Sequence, residues 1–214
     1  MKATDYSLMF VSDERVTDDQ QFFHILESSL KGGATIIQLR EKMMSTNRFY
    51  ERALAAKAVC SRHQVPLIIN DRVDIALAVD ADGVHIGQTD LPVAVVRDLL
   101  GADKIVGWSV SNEEQAVIAN DLAVDYIGLS PIFHTGTKTE DLDPPLGIDG
   151  LKKLKSISNK PIVCIGGVTK ENTSDVIKYG ADGIAVVSAI SQAADPAKAT
   201  NQLKEIICQV GTKR

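Results

Sequence analysis

The chain has 214 residues, 44% hydrophobic and 24% charged, with a net charge of −5. That is the composition of an ordinary globular domain, long enough for one barrel or one doubly wound sheet. Acids and bases are interspersed without a clustered basic excess, which argues against nucleic acid as a partner.

Apolar runs alternate with amphipathic segments along the whole chain. The first run, "SLMFVS" (7–12), precedes "DDQQFFHILESSLKGG", a helical pattern that opens on acids and stops at a glycine pair. "TIIQLR" (35–40) is followed by the long alanine-rich pattern "STNRFYERALAAKAVCSRHQ". Then come "PLIIN" (66–70), "GVHIG" (83–87) and "KIVGWSV" (104–110). Asn112 reads as the N-cap of "EEQAVIANDLA", with two acids in its first turn. The last runs are "DYIGLSP" (125–131), "PIVCIGG" (161–167) and "GIAVVSAI" (183–190), with the helical pattern "TKENTSDVIKYGA" before the eighth. The runs are near-continuously apolar, as expected of parallel strands covered on both faces. Eight strand–helix units predict a single (β/α)₈ TIM barrel, α/β in class, with residues 1–214 as one domain. An open doubly wound sheet would place its glycine-rich turn after the first strand. Here "SDERVTDD" stands there, and the Gly-Gly pair falls after the seventh. No internal repeat, low-complexity tract or linker is visible.

Cys60, Cys164 and Cys208 are odd in number and widely spaced, without a CxxC. They read as small hydrophobic or inert thiols. The N-terminus has neither a signal-peptide pattern nor a membrane span, so a cytoplasmic location is expected and a membrane partner is not.

In a barrel, the C-terminal strand ends converge on one mouth. Strand two brings Gln38, Arg40 and Lys42; strand three brings Asn70 and Asp71; strand four brings Gln88 and Asp90; strand five brings Ser109. Strand six is followed by "SPIFHTGTK", with Thr135, Thr137 and Lys138. Strands seven and eight bring Gly166, Gly167, Val187 and Ser188. Arg40, Lys42 and Lys138 are cationic, whereas Asp71 and Asp90 are carboxylates on adjacent strands. Cations together with a carboxylate pair suit a polyphosphate and a hard divalent metal. Mg²⁺ is commonly held by one or two carboxylates, with phosphate and water completing its shell. Each aspartate also reads as a helix cap, Asp71 for "RVDIALAV" and Asp90 for "PVAVVRDLL". Gly166-Gly167 and Ser188 offer backbone amides for a second, phosphomonoester site. His24 and His63 lie in helical patterns, His85 alternates inside a strand, and Trp108 reads as packing.

The run of motifs "MFVSD", "GGATIIQLREK", "PLIINDRVDIALAVDADGVHIGQTDLP", "VGWSVSN", "DYIGLSPIFHTGTK", "PIVCIGGV" and "ADGIAVVSAI" resembles the thiamine phosphate synthase family over nearly the whole chain. The resemblance implies a small (β/α)₈ barrel and a transferase. Such an enzyme joins hydroxymethylpyrimidine diphosphate to a thiazole phosphate and releases diphosphate, with Mg²⁺. It implies that Gln38, Arg40 and Lys42 contact the pyrimidine and its diphosphate, that Asn70, Ser109 and Lys138 hold diphosphate, and that Asp71 and Asp90 hold Mg²⁺. Thr135, Thr137, Gly167, Val187 and Ser188 would line the thiazole phosphate site. Arg40, Lys42, Ser109 and Lys138 would carry the catalysis by stabilising the departing diphosphate, with residues 134–145 as a lid. Ser130-Pro131 stands where the family often has Gly-Pro. The rivals are a thiazole tautomerase or another phosphate-binding isomerase on the same barrel, and a non-catalytic ligand-binding barrel. A homo-oligomer is compatible with the sequence.

Overall fold

The eight apolar runs form eight short parallel strands that close on themselves. The computed structural model describes residues 4–136 and 143–211. The strands are β1 (Leu8–Val11), β2 (Ile36–Leu39), β3 (Leu67–Asn70), β4 (Gly83–Ile86), β5 (Ile105–Val110), β6 (Tyr126–Leu129), β7 (Ile162–Ile165) and β8 (Gly183–Val186). They pair in sequence order, and β8 returns to β1. Alternate residues point inward and outward. Met9, Val11, Ile36, Ile68, Tyr126, Val163 and Ala185 form the inner cluster. Leu8, Phe10, Ile37, Leu67, Ile69, Trp108 and Ile184 belong to the larger layer between sheet and helices, so Trp108 is packing.

Around the barrel run α1 (Asp19–Lys31), α2 (Thr46–His63), α3 (Val73–Ala78), α4 (Val93–Leu100), α5 (Glu113–Asp121), α6 (Gly147–Ile157), α7 (Lys170–Lys178), α8 (Ser188–Ser191) and α9 (Pro196–Gly211). Asp18 caps α1 by accepting from Gln21 N at 2.7 Å, and Asn112 caps α5 by accepting from Gln115 N at 3.0 Å. The run 183–190 is not one strand. It ends at Val186, and Ser188–Ser191 turns into α8. Cys60 and Cys164 are buried, and burial pushes the Cys60 thiol up to about 12; Cys208 is exposed. No described helix is long and apolar enough to cross a membrane.

The N-terminal rim carries a recurrence that the sequence reading did not find. Just ahead of β4, Asp82 N donates to Leu67 O at 2.9 Å while its carboxylate accepts from Leu67 N at 2.8 Å. Asp125, ahead of β6, clasps Val106 in the same two-way fashion, at 2.8 and 2.7 Å. Asp182, ahead of β8, clasps Ile162 at 2.8 Å both ways. Ahead of β2 a threonine does the same work: Thr35 N donates to Leu8 O at 2.8 Å, and Thr35 Oγ1 accepts from Leu8 N at 3.0 Å. Each aspartate also meets a cation from the helix that leads into the strand it clasps: Lys57 of α2 at 2.7 Å, Arg97 of α4 at 2.7 Å and Lys155 of α6 at 2.8 Å. The clasps tie β1 to β2, β3 to β4, β5 to β6 and β7 to β8.

Asp182→Ala is expected to destabilise the fold by about 1–3 kcal/mol, because the buried Ile162 N–H loses its partner. Asp182→Asn, which keeps an acceptor oxygen, should recover most of that loss. Urea denaturation of the three proteins checks this, and equal losses in both variants would contradict it.

Candidate functional site

At the opposite rim the strand ends assemble the side chains expected of the mouth. The β2–α2 loop carries Arg40, Glu41 and Lys42. Glu41 turns inward and is buried, so that the cations on either side of it face outward. Its partner is Arg52 of α2: Arg52 Nη1 donates to Glu41 at 2.9 Å, and both side chains are about 2% exposed. The same guanidinium donates to Asp19, to Val16 O at 3.2 Å and to Thr17 O at 3.1 Å, and lies 4.5 Å over the Phe22 ring. One arginine thus fastens the loops after β1 and β2 to one helix. Burial pushes the Glu41 carboxyl above the usual range, and Arg52 pulls it back.

Arg40 and Lys42 are then placed by β1. Ser12 Oγ accepts from Arg40 N at 2.8 Å and donates to Arg40 O at 3.1 Å. Glu14 accepts from the Arg40 guanidinium at 2.8 Å and from Lys42 N at 3.2 Å. Asp13 accepts from the Ser191 hydroxyl at 2.9 Å, joining this corner to α8. The Lys42 ammonium donates to Asp71.

Asp71 is not a helix cap. Arg72 occupies that position at α3 without a side-chain cap bond. Asp71 instead adopts a left-handed backbone, φ 61°, with its N–H donated to His85 O at 2.8 Å. Non-glycine residues rarely accept that conformation, and aspartate is among those that do so most readily. Asp90 does not cap α4 either, since Pro92 holds that place. Its carboxylate accepts from Gly87 N at 2.6 Å inside the β4–α4 turn. Freed from capping, the two aspartates meet through their side chains. Burial raises the Asp90 carboxyl above its ordinary range and the Asp71 charge adds to this, while Gly87 N–H and Lys42 oppose it. Two carboxyls in contact cannot both ionise cheaply without a cation. Lys42 supplies one here. Among the described residues no third His, Cys, Asp or Glu joins the pair. Such a donor set leaves most of a metal's shell to water and ligand oxygens, which suits Mg²⁺ better than a protein-enclosed ion.

Gln38 lies inside the barrel and is buried, Asn70 ends β3, and Ser109 lies on β5. Ser109 Oγ is 2.9 Å from His85 Nε2, and Gln88 donates to Ser109 O at 2.6 Å. His24, His63 and His134 are exposed. Across the mouth, Gly166 and Gly167 have φ of 96° and 65°. Their close approach is to the chain itself: a Cβ would fall 2.8 Å from Pro131 at Gly166 and 2.4 Å from His134 O at Gly167. Ile132 N and Phe133 N donate to Ile165 O and Gly166 O at 3.0 and 2.9 Å, knitting the β6–α6 connection onto the end of β7. Thr135 lines a cleft there with Phe133, His134, Asp143 and Pro144. Val187 precedes α8 and Ser188 begins it. Thr137 and Lys138, and the middle of the 134–145 segment, lie outside the described residues. The structure therefore joins Lys42, Asp71 and Asp90 in one cluster, with Arg40 tied to the Lys42 backbone through Glu14. Gly167, Val187 and Ser188 follow β7 and β8, outside the β2–β4 arc that carries the cluster.

Sequence reasoning missed Glu14, Arg52 and Tyr126. The strand-end rule, applied to β1 as to the others, would have found Glu14.

The thiamine monophosphate synthase family model matches residues 8–190. The chain is 43% identical to the thiamine-phosphate synthase of Clostridium novyi over 202 residues, covering 94% of this chain and 98% of that one. It is 47% identical to the thiamine-phosphate synthase of Alkaliphilus oremlandii over 203 residues, covering 95% and 96%. Among solved structures, the thiamine phosphate pyrophosphorylase of Pyrococcus furiosus superposes with a TM-score of 0.87 at 35% identity, covering 97% of this chain and 98% of that one.

Arg52→Met is expected to cost about 3–5 kcal/mol, because it strands the buried Glu41 charge. Adding Glu41→Leu should restore most of the stability, since a buried pair is often replaceable by apolar groups. A thermal-unfolding double-mutant cycle measures the coupling, and additive losses would refute the buried-pair account.

Proposed function

The chain belongs to the thiamine monophosphate synthase family and is a transferase, and from that premise we propose that it joins hydroxymethylpyrimidine diphosphate to a thiazole phosphate, with Mg²⁺, as one cytoplasmic domain. The observation that carries this reading is the contact between Asp71 and Asp90 beside Lys42 and Arg40. A tautomerase acting on the thiazole alone has no need of that pair.

The reaction breaks the bond between the pyrimidine's methylene carbon and the diphosphate oxygen. The electron pair leaves with diphosphate, and the electron-rich aminopyrimidine stabilises the cation left behind. The thiazole nitrogen then donates its lone pair to form the new C–N bond. No side-chain nucleophile is needed. The chain's task is to gather positive charge where negative charge develops. Arg40 offers a fork for phosphate oxygens and Lys42 a point charge; Ser109 offers a hydroxyl, and Lys138 a further cation. Asn70 and Gln38 hold the diphosphate and pyrimidine ends. Asp71 and Asp90 would hold Mg²⁺, which supplies charge neutralisation at the departing diphosphate. With Asp71 so engaged, Lys42 would be free to reach the phosphate oxygens. Thr135, Thr137, Gly167, Val187 and Ser188 line the thiazole phosphate site. There the first amides of α8 have no partner inside the helix. With the diphosphate at the ends of β2–β5 and the thiazole phosphate at the ends of β6–β8, the nitrogen would meet the methylene carbon between them. Water has to be excluded, or the cation becomes an alcohol, and that is the role we give the 134–145 segment.

Asp71→Asn and Asp90→Asn are each expected to lower kcat/KM by about 10²–10⁴, in the range seen when a charge-stabilising group is removed. Diphosphate release with both substrates, with and without Mg²⁺, checks this. Turnover that persists under chelation, or variants that keep wild-type rates, would overturn the proposal. Lys138→Ala should slow single-turnover chemistry more than it raises the thiazole phosphate KM.

A further inference from the structure

The barrel interior holds a polar chain that the charge inventory of the mouth does not use. Tyr126 on β6 is 1% exposed, packed among Met9, Val11, Ile36, Ile68, Val163 and Ala185. Its hydroxyl is 2.9 Å from His85 Nδ1, and His85 Nε2 is 2.9 Å from Ser109 Oγ. The Gln38 amide, buried in the same interior, donates to Met9 Sδ at 3.4 Å. Room for both rings is cut into the neighbouring strands. A Cβ at Gly107 would fall 2.1 Å from the Tyr126 ring, and one at Gly128 would fall 2.8 Å from the His85 ring.

The polarity of this chain follows from counting donors and acceptors. The Tyr126 hydroxyl carries one proton, and in this interior that proton needs an acceptor. Its apolar cluster offers only weak ones, such as a thioether, whereas His85 Nδ1 lies at hydrogen-bond distance. A phenol proton left without an acceptor in such surroundings costs about 1–3 kcal/mol. Nδ1 therefore accepts, and a neutral ring carries its proton on Nε2. Nε2–H then donates to Ser109 Oγ, which leaves the Ser109 proton free to point elsewhere. The opposite tautomer would take the Ser109 proton into the barrel.

We infer that His85 is a positioning residue: Tyr126 holds it as the Nε2–H tautomer, and it turns the Ser109 hydroxyl proton outward as a donor to a phosphate oxygen. The chain runs in one direction, Tyr126 to His85 to Ser109. Gln88 fixes the Ser109 backbone from the other side. The inference rests on the proposed reading of Ser109 as a diphosphate ligand.

Two measurements test it. ¹⁵N spectra of histidine-labelled protein at pH 7, with His85 assigned by loss of its signal in His85→Gln, should show a neutral ring protonated on Nε2. Calorimetric titration with inorganic diphosphate and Mg²⁺ should then rank the variants. His85→Gln places an amide donor where Nε2 was and should bind within about threefold of wild type. His85→Asn reaches only as far as Nδ1 and should bind about tenfold more weakly, the equivalent of one hydrogen bond. In turnover, Tyr126→Phe and His85→Asn should lower kcat while leaving the thiazole phosphate KM unchanged. A ring proton on Nδ1, a charged ring, or equal binding by the Gln and Asn variants overturns the inference. A proton on Nε2 in a wild-type protein that binds no diphosphate upholds the chain's polarity and overturns the placing of diphosphate at Ser109.

Discussion

The structure depends on register. In a barrel of such short strands, a slip of one position sends every inward side chain outward. The rim clasps at Thr35, Asp82, Asp125 and Asp182 hold that register by binding the N–H and the C=O of one facing residue at once. A residue seized from both sides cannot slide. Everything at the far rim follows from this: Gln38, Asn70, His85 and Ser109 face the interior because the strands beneath them are locked. The N-terminal rim serves stability, and the other rim is left free to serve chemistry.

That freedom shows in how the mouth handles charge. The N-terminal rim pairs each clasping carboxylate with its own cation, from the helix that leads into the clasped strand. The mouth instead presses Asp71 and Asp90 together and leaves Lys42 to neutralise them. An arrangement of this kind costs stability unless a cation stands beside it. The loop that supplies Lys42 is itself pinned by satisfied contacts: Ser12 on Arg40, and Arg52 on Glu41. Glu14 keeps Arg40 extended toward the opening without using up all of its donors.

Much of the fold was legible because strands buried on both faces are apolar throughout, and eight such runs separated by helical patterns have few other solutions. The one strand misjudged, β8, shows the limit. "GIAVVSAI" stays apolar beyond Val186, and an unbroken apolar run does not tell a buried strand from a buried helical turn. In the site, residue type and strand position were enough to nominate Arg40, Lys42, Asp71 and Asp90. What sequence alone did not decide was whether the aspartates cap helices. The left-handed backbone at Asp71 decides it, moving the start of α3 beyond that residue's reach. Arg52 was illegible for a different reason. It is one of three arginines in α2, with carboxylate partners 11 and 33 residues away. The Gly166-Gly167 pair was legible as a close approach, but its partner proved to be the β6–α6 connection.

The clasps also divide the barrel into quarters, each built from two consecutive strands and the helix between them. Relocating the chain ends to the exposed Gly101–Ala102 step would keep every quarter covalently whole. Relocating them to Asp80–Ala81 would send Leu67 and Asp82 to opposite termini. The first rearrangement asks intact modules to dock, and the second asks a register lock to close across the full contour of the chain.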